Sequence, residues 1–324
     1  MSSQEDLILQ IQNLKVRFPM KNQSFVHAVN GIDLNLYKGD SLGVVGESGC
    51  GKSVTFSSVM RLIESPPAVI EGKIIFNNQD LMKLSPAEMQ KIRGKDITMI
   101  FQEPMTSLNP VMRIGYQIME TLLVHENISK KAASARALEL LELVEIPDAA
   151  GRLWSYPHQL SGGLRQRVMI AMALACRPKI LLADEPTTAL DVTIQAQVLD
   201  LLKRLQEETD MSIVMITHDL GVIADVAKRV AVFYAGRIVE KASTREIFKN
   251  PLHPYTVGLL NCIPTIETNT PRLQAVEGNI PDAADFPPGC PFHPRCEKAT
   301  DICHREEPLK TTPSKNHQVA CHHI

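Results

Sequence analysis

Gly46-Glu47-Ser48-Gly49-Cys50-Gly51-Lys52-Ser53 puts three glycines, a lysine and a terminal hydroxyl into eight consecutive residues, the composition of a loop that wraps an anion. Glycine lets backbone N–H groups curl inward and lets phosphate oxygens approach where a Cβ would block them. In this reading all eight residues line a nucleotide, with Cys50 at a variable position. Lys52 reaches the β and γ phosphates, and the Ser53 hydroxyl holds Mg²⁺. A second chemical group follows the apolar run Lys179-Ile180-Leu181-Leu182-Ala183, which ends in Asp184-Glu185. Neighbouring side chains at a strand end point in different directions, so the two carboxylates can hold different jobs. Asp184 is expected to bind Mg²⁺ through water and Glu185 to orient and polarise an attacking water. A third apolar run, Ser212 to Thr217, ends in His218, placed to touch the γ-phosphate.

These groups need strands and helices to aim them. Ser41-Leu42-Gly43-Val44-Val45 reads as a buried parallel strand and Lys52 to Leu62 has the apolar spacing of a helix, so the glycine loop is a strand-to-helix turn whose helix N-terminus adds partial positive charge. Leu7 to Tyr37 alternates apolar and polar residues, as does Lys73 to Phe76 before an Asn77-Asn78 turn, which predicts an antiparallel sheet. Between Pro104 and Tyr156 the period becomes helical, clearest over Ala132 to Val144, and a helical insertion is expected at about 104–158. Val168 to Cys176 is a buried helix, too short to cross a bilayer. Val230 to Tyr234 and Arg237 to Glu240 flank Ala235-Gly236 as a hairpin.

The order of the phosphate loop, Gln102 in Ile100-Phe101-Gln102-Glu103-Pro104, Leu160-Ser161-Gly162-Gly163, Leu182 to Pro186, Ala189-Leu190-Asp191 and Thr217-His218-Asp219 resembles the ATPase subunit of an ATP-binding-cassette transporter. The resemblance spans about residues 7–250. It implies an α/β P-loop ATPase fold with a mixed-sheet core, an antiparallel β subdomain and an inserted helical subdomain. It also implies head-to-tail pairing, in which Ser161, Gly162 and Gly163 complete the ATP site of another chain and Asp191 bridges the two. By the same resemblance Gln102 would sense the γ-phosphate, join Ser53 and Asp184 around Mg²⁺ and contact membrane subunits, and Phe18 would stack on adenine. The sequence departs from many relatives at Leu164, where they carry a polar residue.

After Asn250 the composition shifts toward proline and cysteine, and the boundary is drawn between a domain at 1–254 and one at 255–324. Cys290, Cys296, Cys303 and Cys321 are separated by five, six and seventeen residues. A disulfide framework is disfavoured in a reducing cytosol. Structural zinc usually has a tighter Cys-x₂₋₄-Cys pair, and an iron–sulfur cluster also takes four thiolates, so the spacing leaves both metals open. His293, His304, His317, His322 and His323 allow a mixed ligand set. This region is similar to the carboxyl-terminal extension of oligopeptide and dipeptide importer ATPases, and that similarity implies a [4Fe–4S] cluster on the four cysteines in a small cysteine-rich terminal domain. The other cysteines, Cys50, Cys176 and Cys262, have no such role.

A net charge of −2 and no long block of like charge give no footing for nucleic acid. Residues 256–324 carry six Lys and Arg against eight Asp and Glu, opposite to a phosphate-binding footprint. The first residues, Met1 to Asp6, lack a basic segment and an apolar core, so no signal peptide is expected. The resemblance implies a peripheral subunit on the cytoplasmic face of the inner membrane, powering peptide import. Its partners would be two permeases, a second related but different ATPase and an extracytoplasmic peptide-binding protein. The rival readings are an importer of nickel or another small solute, and a soluble cassette ATPase acting on nucleic acid or ribosomes.

Overall fold

The computed structural model describes residues 6–21, 24–102, 107–188, 190–263 and 276–324. Glu103 and Pro104 of the glutamine motif and Ala189 lie outside them, as do residues 1–5. The described chain divides into two compact units, one of residues 1–37, 41–82 and 215–324, the other of 38–40 and 83–214.

In the first unit, alternation becomes pairing. Strands β1 (Leu7–Pro19) and β2 (Phe25–Tyr37) run antiparallel, with Leu9, Ile11, Leu14 and Val16 buried along β1. Ile11 and Leu14 are an odd number of residues apart, so an unbroken pleat would turn one of them outward. A register shift between them, with Asn13 at φ 44°, takes up the extra residue and returns both to the core. Strands β4 (Val69–Phe76) and β5 (Gln79–Asp80) complete a sheet of order β2-β1-β4-β5, turning at Asn77 and Asn78, both at positive φ. The same unit holds β3 (Ser41–Val45), β9 (Arg229–Tyr234) and β10 (Arg237–Ser243). β3 pairs parallel with β9, and β9 pairs antiparallel with β10 through Ala235 (φ 48°) and Gly236 (φ 75°), so this sheet is mixed. Two positive φ values in a two-residue turn match the twist of the strands they join. The helix after the phosphate loop spans Lys52–Val59, ending before Leu62.

The carboxyl-terminal residues are not a separate compact body. Strands β11 (Lys310–Ser314) and β12 (His317–Ala320) form a hairpin, and β12 pairs antiparallel with β10 through Glu240↔Val319 and Lys241↔Gln318. The expected cysteine-rich terminal domain is therefore corrected, because the tail extends the edge of the sheet that carries the loop's own strand. The reason is a buried polar node that no motif announces. Glu240, fully buried, accepts N–H bonds from Leu252 (2.8 Å) and His253 (3.0 Å) and pairs with His317 Nε2 at 2.7 Å. A buried carboxylate is tolerated only with such partners, so the node ties β10, β12 and the segment before helix Pro254–Asn261 together.

The second unit carries β6 (Ile97–Ile100), β7 (Ile180–Asp184) and residues 212–214 of β8 (Ser212–Ile216) in the order β8-β7-β6, with β6 and β7 parallel. Helices at Ile114–His125, Lys130–Leu143 and Ala149–Arg152 fall where the helical period is found, and helix Gly162–Leu174 follows.

Candidate nucleotide site

The loop's geometry is that of an anion cradle. Gly46 (φ 149°) and Gly51 (φ 97°) occupy backbone conformations that disfavour a side chain, and a Cβ at either would collide with a backbone carbonyl, of Phe233 and Ala28 respectively. Lys52 is buried, and its Nζ donates to the carbonyls of Gly46 (2.6 Å) and Glu47 (2.9 Å). An ammonium held by two neutral carbonyls keeps its charge available for a phosphate. The buried Cys50 thiol beside it has its pKa raised by burial, against the opposing pull of Lys52. Ser53 opens the helix with an exposed side chain. Phe18 is half-buried near the end of β1, paired with Val26.

In the second unit the two carboxylates at the end of β7 have different surroundings. Asp184 is buried, and Glu185 sits at φ 47°, a left-handed backbone that costs a non-glycine residue about 1 kcal/mol or more. Its Oε2 accepts from Gln102 Nε2 at 2.8 Å and from Thr188 Oγ1 at 2.9 Å. The structure thus brings Gln102 to the carboxylate that is to orient water, a pairing the sequence does not indicate. Ser161 caps helix Gly162–Leu174, its Oγ accepting the Leu164 N–H, and it is exposed with Gly162 beside it. That presents a helix N-terminus to the outside, where an anion would be stabilised. Gly163 allows close packing, since a Cβ there would lie 2.6 Å from an Ile194 methyl. Arg167 anchors the same helix from below. Its buried guanidinium donates to Val144 O (2.7 Å), Glu145 (3.0 Å) and Gln197 (3.2 Å), and these bonds with Arg167 and Arg204 lower the Glu145 pKa. Asp191 Oδ1 accepts from Ile194 N–H at 3.0 Å as the cap of helix Val192–Thr209. His218 belongs to the first unit, where it is exposed after β8 and followed by Asp219, which caps helix Leu220–Val226.

The tail thiols behave differently from the expectation. Cys290 and Cys303 are buried, and all the cysteines are free thiols. Burial, against the opposing backbone hydrogen bond of Phe292, pushes the Cys290 pKa up to about 11. Cys303 Sγ lies 3.5 Å from His323 Nε2, and Cys321 Sγ accepts the His323 N–H at 3.4 Å. Among the described residues, however, no group of three or more His, Cys, Asp or Glu is arranged to hold a metal ion. The expected [4Fe–4S] cluster on Cys290, Cys296, Cys303 and Cys321, and the zinc alternative, are not supported. Ligation needs donors converging on one point, whereas Cys303 and Cys321 here contact Thr300 and His323.

Comparison with known proteins fixes the family. Residues 29–188 match the ABC transporter model and residues 239–303 the model for the oligopeptide/dipeptide transporter C-terminal region. The dipeptide transport ATP-binding protein DppD of Bacillus subtilis (strain 168) is 53% identical over 315 residues, 97% of this chain and 94% of that protein. The chain belongs to the ABC transporter family, among its dipeptide and oligopeptide ATP-binding subunits. The oligopeptide transport ATP-binding protein OppD of the same organism is 52% identical over 314 residues, 96% of this chain and 87% of its own length. A dimeric ATP-binding cassette in a post-hydrolysis state, bound to ADP and phosphate, superposes with a TM-score of 0.66 at 30% identity, covering 74% of this chain and 99% of its own. This family member is an ATPase of the P-loop ABC fold.

Proposed function

We propose that this subunit couples ATP hydrolysis to the import of dipeptides or oligopeptides through partner permeases. The observation that carries the reading is the joint match of the cassette and of the peptide-transporter extension in one chain, with the loop, strand-end carboxylates and signature helix all formed. In this mechanism Lys52 and the N–H groups of Gly46 to Ser53 bind the phosphates, and Phe18 stacks on adenine. The oxygen donors of Ser53, Gln102 and Asp184 suit Mg²⁺, a hard cation that supplies charge neutralisation to the transferring phosphoryl group. Glu185, oriented by Gln102 and Thr188, positions the attacking water, and His218 contacts the γ-phosphate. Ser161, Gly162 and Gly163 present their helix N-terminus to the nucleotide of a second, related ATPase, and Asp191 lies beside that interface. The functional boundary runs at 254/255, with the helical insertion at about 104–158.

Among the described residues no helix is long and apolar enough to cross a membrane. Membership among peptide-transporter ATP-binding subunits supports a peripheral subunit held at the cytoplasmic face by two permeases. Val111, Tyr116, Val124 and Trp154 are exposed apolar residues of the helical insertion and offer a surface for those partners. An extracytoplasmic binding protein would deliver the peptide. The test is uptake of a labelled dipeptide into proteoliposomes holding the assembled transporter and its binding protein. ATP-dependent dipeptide uptake is expected; uptake of nickel without peptide would move the chain to a small-solute importer.

A further inference from the structure

Glu47 is where the carboxyl-terminal segment meets the phosphate loop. Its carboxylate forms a two-pronged pair with Arg295, Nη2 donating to Oε1 and Nη1 to Oε2, each at 2.9 Å. Its backbone N–H donates to Tyr255 Oη at 3.0 Å. Its carbonyl accepts from Lys52 Nζ at 2.9 Å. One residue of the loop therefore connects the phosphate-binding ammonium to two residues of the segment after Pro254.

Arg295 is built to hold that position. Its side chain is 4% exposed, its Nη2 and Nε donate to the carbonyls of Val276 (3.0 Å) and Glu277 (2.9 Å), and its guanidinium lies 5.7 Å from the Tyr234 ring centre. Phe292 packs edge-on against Tyr234 at 5.1 Å and beside Tyr255 at 5.5 Å, fixing the platform under the arginine. Burial disfavours the charge on Arg295, but the hydrogen bonds and attraction of Glu47 and Tyr234 more than offset it, so its pKa is raised and it stays a cation. A planar fork matched to a carboxylate fixes orientation as well as charge.

The physical consequence concerns ATP. A triphosphate brings several negative charges to a loop that already contains a carboxylate, and in a partly buried site that repulsion is weakly screened. We propose that Arg295 is a positioning residue for nucleotide binding: it neutralises and orients Glu47, and through Glu47 it sets the shape of the phosphate loop and the place of Lys52. The tail is then a brace on the ATP site.

The inference rests on nucleotide binding at this loop, which Lys52→Ala tests separately. The direct experiment titrates the full-length chain with a fluorescent ATP analogue and measures KM and kcat in the assembled transporter for Arg295→Ala, Arg295→Lys and the double variant Arg295→Ala with Glu47→Gln. Arg295→Ala should weaken ATP binding on the order of tenfold, equivalent to ~1.4 kcal/mol, and raise KM alike, with kcat changed by less than about twofold. The loss should deepen at low salt, and the double variant should recover part of it, because the repelling charge is gone while the orienting fork is still missing. Arg295→Lys should lose about threefold, keeping the charge without the fork. Wild-type affinity in a folded Arg295→Ala protein would overturn the proposal, as would equal, salt-independent losses in the single and double variants. Should Arg295→Ala fail to fold, Arg295→Lys decides: the intermediate loss supports the brace and wild-type affinity refutes it.

Discussion

The phosphate loop and the cysteine-bearing tail are held by opposite means. In the loop, Lys52 is fixed by carbonyls five and six residues before it, and the turn is set by glycines at positive φ. In the tail, residues between the cysteines make the long-range contacts. Phe292 fills an aromatic cluster with Tyr234, Tyr255 and His253, Arg295 grips Glu47, and His317 meets the buried Glu240. The difference teaches that a contiguous motif carries its own geometry, whereas a dispersed set of residues has the geometry that its packing partners impose.

The largest effect that could break this comparison is at Lys52. Lys52→Ala removes the only side-chain cation of the cradle and should lower kcat/KM for ATP about a thousandfold, ~4 kcal/mol, without unfolding the tail. Steady-state hydrolysis alongside a thermal melt would check it; a collapse of the melt would mean the two regions are not separable. Phe292→Ala tests the other side. Truncating this buried ring should cost about 3 kcal/mol by denaturant titration, since it leaves a cavity among three rings. A cost under about 1 kcal/mol would show that the cluster does not hold the tail.

A smaller effect comes from His253, whose Nδ1 accepts the Tyr255 N–H and whose burial pushes its pKa down to about 3. The folded state resists a proton that the unfolded state takes up near pH 6.5, so stability is complete above that pH and falls as pH drops toward 3. Each pH unit in that window should cost about 1.4 kcal/mol, and His253→Asn should remove this slope in melts between pH 7.5 and 5. An unchanged slope would place the titration elsewhere. The smallest effect sharpens the contrast most. Cys303→Ser replaces a buried thiol beside Thr300 and His323 with a hydroxyl that can bond to both, and should shift stability by less than about 1 kcal/mol. A loss of several kcal/mol, accompanied by released metal, would restore a ligand role for the cysteines.

Much of the nucleotide machinery was legible because its residues are neighbours in sequence. The loop and the Asp184-Glu185 strand end each follow from a run of fewer than a dozen residues and local backbone rules, whereas Ser161 stood out through the family resemblance and its capping bond only in the structure. Gln102 meeting Glu185, Arg167 holding Val144 and Glu145, and Arg295 gripping Glu47 were not legible. These are single polar residues whose partners lie far along the chain, and an arginine between two cysteines draws less notice than the cysteines. The β11–β12 hairpin was missed for a related reason: Lys310-Thr311-Thr312-Pro313-Ser314 is exposed and polar, with no apolar alternation, and its pairing is secured by His317 and Val319 instead.

The most direct test of the account is ATP turnover by Glu185→Gln in the assembled transporter, with nucleotide binding measured on the same sample. Glutamine preserves shape and a contact with Gln102 but cannot polarise the water. The account predicts a fall in hydrolysis of about a thousandfold, ~4 kcal/mol of barrier, with ATP affinity within about twofold of wild type. Near-normal hydrolysis by this variant would contradict it.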